Sequence, residues 1–120
     1  CPVIIPRAGR PYCIVGCPGG RAIPNAVLQV LRHVVAFRMD IARAIARPRV
    51  HHQWLPDVTE YEAGAFAADA LRPYIEMGHQ VRQDKSLEAN DAMGILIDRR
   101  TGRLLGAADP RSEDGAAAGY

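Results

Sequence analysis

The stretch from Ile14 to Val35, IVGCPGGRAIPNAVLQVLRHVV, constrains this chain more than any other. An apolar pair, Ile14 and Val15, runs into Gly16, Pro18, Gly19 and Gly20, and a helical pattern starts immediately afterwards. Ala26, Val27, Val30, Leu31, Val34 and Val35 recur at spacings of three and four, with Gln29, Arg32 and His33 on the other side. Pro24 suits the first turn of that helix, where an N–H would go unused. The segment therefore predicts strand, glycine turn, helix. Such a junction aims free backbone N–H groups and the positive end of the helix at one point, and glycines let a ligand oxygen reach the backbone. The chemistry that fits is an anion, either a phosphate or the oxyanion of a carbonyl under attack. A tight turn without a ligand is the plainer alternative. The pattern is neither the Walker A loop nor the Rossmann fingerprint.

Around this junction the pattern predicts a mixed fold. Residues 3–5 and 12–16 read as strands of a hairpin turned by PRAGRP, residues 6–11. A second helix is expected over Asp40–Ala46, capped by Asp40 and stopped by Pro48. Residues 50–62 read as a strand interrupted by Pro56. Residues 63–81 read as a helix burying Phe66, Ala70, Leu71, Tyr74 and Ile75, with Pro73 inside the pattern and Gly78 as its stop. Residues 93–107 read as strand, turn at Thr101-Gly102, and strand. Hairpins at both ends and few crossovers imply an α+β fold, an antiparallel sheet with helices packed on it.

Composition excludes more than it selects. At 120 residues, 48% hydrophobic and 23% charged, the chain is one globular domain or part of one. A net charge of +2 gives no reason to invoke nucleic acid or a charged membrane surface, and no apolar run is long enough to span a bilayer. Cys1, Cys13 and Cys17 follow no zinc-site spacing, so no metal is expected. His51 and His52 are adjacent, so on a strand they point to opposite faces and cannot share a metal. Packing and hydrogen bonding are the expected roles there. His33 and His79 read as surface or capping residues. Asp109, Glu113 and Asp114 read as charge partners for Arg111 and neighbouring backbone rather than as acid–base catalysts.

Longer stretches carry a resemblance. Residues 16–57, GCPGGRAIPNAVLQVLRHVVAFRMDIARAIARPRVHHQWLPD, resemble the small subunit of the γ-glutamyltransferases (γ-glutamyltranspeptidases, or glutathione hydrolases). So do the last residues, 106–120, GAADPRSEDGAAAGY, and the opening CPVIIPRAGRPYCIVG. The resemblance implies the C-terminal portion of an N-terminal-nucleophile hydrolase with an αββα sandwich. Residues 1–120 would then be a partial small-subunit domain without the nucleophile-bearing region.

It also implies a reaction. A threonine outside this chain attacks glutathione or a related γ-glutamyl amide and forms a γ-glutamyl ester. The acyl group then passes to water or to an amino acid or peptide acceptor. The residues carried over are Gly19 and Gly20, whose backbone N–H groups would form the oxyanion hole. This chain supplies no nucleophile and calls for no cofactor. The large subunit and the remainder of the small subunit are the implied partners, and a periplasmic or extracellular setting is implied by the family alone. The isolated chain is expected to be inactive.

Some positions depart from the family pattern. Cys17 stands where serine or threonine is usual; it is either a thiol activated by the helix N-terminus or, as favoured, a small side chain tolerated in a turn. Cys1 matches a serine of the family rather than its nucleophile. Residues 89–95, ANDAMGI, are altered, although Asn90 and Asp91 still suit a turn. Arg47 replaces a commoner acidic or small residue. The rival reading is a non-enzymatic, stand-alone relic domain used for binding or assembly.

Overall fold

The computed structural model describes residues 2–89 and 91–118. Expectations about Cys1 and Asn90 therefore lie outside the described residues. A four-stranded antiparallel sheet is built from β1 (Val3–Arg7), β2 (Arg10–Gly16), β6 (Met93–Ile97) and β7 (Leu104–Ala108), in the order β1-β2-β6-β7. A second sheet joins β3 (Val50–His51), β4 (Thr59–Tyr61) and β5 (Val81–Gln83). The helices are α1 (Ile23–Val35), α2 (Ile41–Ala46) and α3 (Ala68–Glu76). The α+β expectation holds.

The core lies between one face of the larger sheet and the first two helices. Cys13 and Val15 of β2 meet Ala26, Val27, Val30 and Val34 of α1 and Ile41, Ala44 and Ile45 of α2. Val35, expected in that stripe, is 54% exposed; it ends α1 beside the buried Val34, on the solvent side of the helix. Asp40 caps α2 as its position implies, accepting from the Arg43 N–H at 2.8 Å.

Other expectations need correction. The first hairpin is longer than the hydrophobic pattern suggests, and its turn is confined to Ala8-Gly9, both at positive φ. Pro6 sits inside β1 because β1 is an edge strand with a register shift between Ile5 and Pro6, where a missing N–H costs nothing. The helix expected over 63–81 is only nine residues long and buries none of them; Ile75 is 47% exposed. Phe66 precedes it. Phe66 instead packs edge-on against Tyr61 and beside Tyr74, and Tyr74 stacks on His79. Gly78, at φ +96°, does end the segment. The chain beyond it forms β5, which the sequence pattern did not reveal. β5 pairs parallel with β4, so β4-α3-β5 is a crossover in a fold expected to be antiparallel.

Gly94 of β6 shows how tightly the helices meet the sheet. A Cβ there would lie 2.8 Å from Ile41 Cδ1 and 3.3 Å from the Ile14 carbonyl oxygen. Ile41 is itself buried and has little room to yield. Gly94→Val is expected to destabilise the fold by about 1–3 kcal/mol through overpacking, read as a lower denaturant midpoint with an unchanged slope.

Candidate functional site

The glycine turn forms where it was expected. β2 ends at Gly16, Cys17 and Pro18 follow, and Gly20–Ala22 make a single 3₁₀ turn that leads directly into α1. Gly19 lies at φ 109°, ψ 70°, and Gly20 at φ 49°. Both are left-handed conformations that side chains disfavour, which gives a backbone reason for two glycines here. Pro18, Gly19 and Gly20 are exposed. Among the described residues, neither the Gly19 nor the Gly20 N–H donates to a protein acceptor. Both therefore remain available to a ligand.

The residues after the glycines anchor the turn to the second sheet. Arg21 contacts the buried Glu60 carboxylate of β4 at 2.6 Å, and Arg82 of β5 pairs with the other Glu60 oxygen. The Arg21 guanidinium also donates to Gln53 Oε1 at 3.4 Å. Asn25, in the first turn of α1, donates from Nδ2 to His51 Nδ1 at 2.9 Å and to the His52 carbonyl at 3.0 Å. Because His51 Nδ1 accepts, its proton sits on Nε2, which reaches Gln53 Oε1 at 3.1 Å. Gln29, one turn further along α1, pairs its side-chain amide with both backbone groups of Val50 in β3, at 2.6 and 2.9 Å. None of these contacts was legible in the sequence. Gln29 read there as an ordinary polar position of an amphipathic helix, and Glu60 as part of a strand.

The remaining candidates are structural. His51 is buried in the relay just described, while His52 faces outward to Asp57 at 3.1 Å, so the two rings serve different partners. His33 is half-buried rather than on the surface, and burial holds its imidazole below its usual range. Cys17 is buried, its thiol donating to the Pro18 carbonyl at 3.1 Å, and burial pushes its pKa up. Burial therefore works against an activated thiol and favours the small-side-chain reading.

Asp109 and Arg111 belong to a buried ionic lattice. Arg49 pairs with Asp109 Oδ2; Arg111 spans Asp109 Oδ1 at 2.9 Å and Glu62 Oε2 at 2.5 Å; the Ala92 N–H donates to Asp109 Oδ2 at 2.9 Å. The partners of Arg111 are thus Asp109 and Glu62, not Glu113 or Asp114. The latter two are exposed and form no ion pair among the described residues.

Comparison with known proteins decides what this arrangement belongs to. The gamma-glutamyltranspeptidase family model matches residues 1–119. The chain belongs to the gamma-glutamyltranspeptidase family. It is 35% identical over 119 residues to the glutathione hydrolase proenzyme of Escherichia coli K12, covering 99% of this chain and 20% of that protein. A crystal structure of a Helicobacter pylori gamma-glutamyltranspeptidase mutant superposes with a TM-score of 0.85 at 32% identity, over 93% of this chain and 60% of that one. The Pseudomonas nitroreducens gamma-glutamyltranspeptidase complexed with L-DON gives 0.84 at 30% identity, over 100% of this chain and 62% of that one. The chain thus spans about a fifth of the length of the E. coli relative. It shares the N-terminal-nucleophile hydrolase fold of the solved enzymes. Among its described residues no helix is long and apolar enough to cross a membrane.

Both ionic clusters predict acid sensitivity. Hydrogen bonding from Arg21, above all, holds the Glu60 carboxyl below its usual range, opposed by burial and helped by Arg82. Burial alone would raise Asp109, but the Arg111 side chain, the Ala92 and Arg111 N–H groups and Arg49 together bring it below the ordinary aspartate value. A carboxylate whose folded pKa is depressed stabilises fully above its unfolded value, about 4, and loses that contribution as the pH falls through the folded value. His33, whose imidazole burial holds low, adds an earlier loss that begins as the pH falls below about 6.5. Urea midpoints are expected to decline slightly from pH 7 to 5 and steeply below about pH 4.

Proposed function

We propose that residues 1–120 are part of a small-subunit domain of an enzyme that moves γ-glutamyl groups. The donor is glutathione or a related γ-glutamyl amide, and the acceptor is water or the amino group of an amino acid or peptide. A threonine hydroxyl attacks the γ-carbonyl, and the Gly19 and Gly20 N–H groups stabilise the oxyanion that results. Collapse expels the amine and leaves a γ-glutamyl ester, which water or the acceptor then cleaves.

The observation that carries this reading is the pair of unspent N–H groups on consecutive left-handed glycines at a strand-to-helix junction. The names of the relatives, glutathione hydrolase and gamma-glutamyltranspeptidase, support the choice of acyl group. The nucleophile belongs to another part of the protein. Thr59 and Thr101 are the threonines of this sequence. Thr59 is buried beside the Tyr74 hydroxyl, and Thr101 closes a hairpin on Asp98. The large subunit and the rest of the small subunit complete the site, and the family relation suggests a periplasmic or extracellular setting.

The test compares the full-length protein with the 120-residue chain on a γ-glutamyl anilide. Release of the aniline is expected from the full-length protein and none above buffer from the chain alone. Turnover by the isolated chain would overturn the assignment of the nucleophile.

A further inference from the structure

The hairpin tips at the other end of the larger sheet hold a cluster of charge that the proposed acyl transfer does not use. Arg7 and Arg10 flank the β1–β2 turn, and Arg99, Arg100 and Arg103 lie on or beside the β6–β7 turn, in a chain whose net charge is only +2. All five of these arginines are exposed, and among the described residues none forms an ion pair.

The sheet register brings these residues to one end of the sheet. Arg7 stands directly opposite Arg10. β2 and β6 are neighbours, in register from Cys13 opposite Leu96, and that register carries Arg10 toward Arg99. Asp98 and Arg103 close the next turn through an N–H to carbonyl bond of 2.9 Å. Adjacent strands lie about 4.8 Å apart, so the guanidinium stems form a row across the sheet end. Like charges placed directly opposite on neighbouring strands repel and destabilise the pair. Arg7 finds local relief over the Tyr12 ring at 5.3 Å, and Arg100 beside Asp98.

A depression of about 330 Å³ opens between the two tips, lined by Arg7, Arg10 and Arg99 with Tyr12, Ile97 and Asp98. Asp98 is the carboxylate on this wall; its Oδ1 accepts from the Arg100 N–H at 2.9 Å and its Oδ2 from the Thr101 hydroxyl at 2.6 Å, which holds it to the turn. Its single charge, felt by Arg100, offsets only part of the charge of the arginine cluster, and among the described residues it forms no ion pair with Arg7, Arg10 or Arg99.

We infer that this depression is a binding site for a phosphate group. A carboxylate satisfies one guanidinium fork, whereas a phosphate carries more oxygens and up to two charges and can engage two or three forks at once. The site lies at the far end of β2 from the glycine turn, about 20 Å away for a seven-residue strand. It cannot touch the γ-glutamyl carbonyl, so it is an anchoring or regulatory site independent of the acyl-transfer reading. The phosphate is either free in solution or the head group of an anionic phospholipid.

Two measurements separate these sources. In the first, arginine Nε–H resonances are followed while phosphate or pyrophosphate replaces chloride at constant ionic strength. In the second, the protein is floated with vesicles of phosphatidylglycerol or of phosphatidylcholine. Saturable shifts confined to Arg7, Arg10 and Arg99 support the site with free phosphate as its ligand. Flotation with phosphatidylglycerol alone supports it with a lipid head group. Either affinity is expected to drop about fivefold for each arginine neutralised in R10Q/R99Q, and further in R10E/R99E. Arg72→Gln, on α3, is expected to leave it unchanged. Circular dichroism confirms that the exposed substitutions fold. Identical shifts in chloride and phosphate with no flotation overturn the inference, and so does wild-type affinity in R10Q/R99Q.

Discussion

Asp109→Ala is expected to cost about 3–5 kcal/mol of stability, the effect of stripping one partner from a buried ionic group. The Asp109 side chain has no exposure, and that of Arg49 is 5% exposed. Removing the carboxylate leaves Arg49 and Arg111 with one shared counter-ion fewer and the Ala92 N–H without its acceptor. The damage spreads because the lattice is also structural scaffolding. Arg111 donates to the carbonyls of Ile45 and Arg47, at 3.2 and 3.0 Å, and so fastens the segment after β7 to the end of α2. A thermal midpoint lower by roughly 10–20 °C is the corresponding calorimetric result for a domain of this size. Asp109→Asn should cost less, since it keeps the shape and one acceptor. A near-neutral Asp109→Ala would show that the lattice is solvated in solution.

Gly20→Ala has the largest expected effect on the reaction. In the full-length protein kcat is expected to fall about 10²–10³-fold, the usual result of losing one oxyanion-hole donor. The cause is not collision, since an added Cβ meets nothing within 4 Å. It is conformation: alanine at φ 49° carries a cost of about 1–2 kcal/mol, and relaxing it would rotate the N–H away from the position proposed for the oxyanion. Because the donor matters only once negative charge develops, kcat and kcat/KM should fall together while KM stays within about twofold. A rise in KM at constant kcat would instead make the turn a ground-state contact.

The glycine junction, α1 and the cap of α2 were legible because each rests on a local rule. Glycine tolerates positive φ, proline tolerates the first turn, and aspartate caps a helix. Helix α3 was misread because its apolar residues do recur with helical period, yet that face is only partly covered, chiefly at Leu71 and Tyr74, and none of its residues is buried. β5 escaped because its three residues, Val81, Arg82 and Gln83, contain no alternation, and only pairing with β4 gives them a strand's hydrogen bonds. The same limit applied at the site. The turn pointed to a backbone anion site and the family resemblance named Gly19 and Gly20 in it, but the hub joining Arg21, Glu60 and Arg82 spans three elements distant in sequence. A charge opposite a charge in space leaves no spacing to read. Asp109 was assigned to Arg111 because the two are neighbours in sequence; Arg49 and Glu62, which complete the lattice, are not.

The Gln29–Val50 contact has a consequence for behaviour at high concentration. β3 is the outer strand of its sheet, and an outer strand with free N–H and carbonyl groups is a template on which another chain can add. The Gln29 carboxamide takes up both groups of Val50 as a neighbouring strand would, from a helix that cannot extend the sheet. One side chain thereby closes the border to intermolecular β-pairing, so Gln29→Ala should promote aggregation more than its loss of stability alone would.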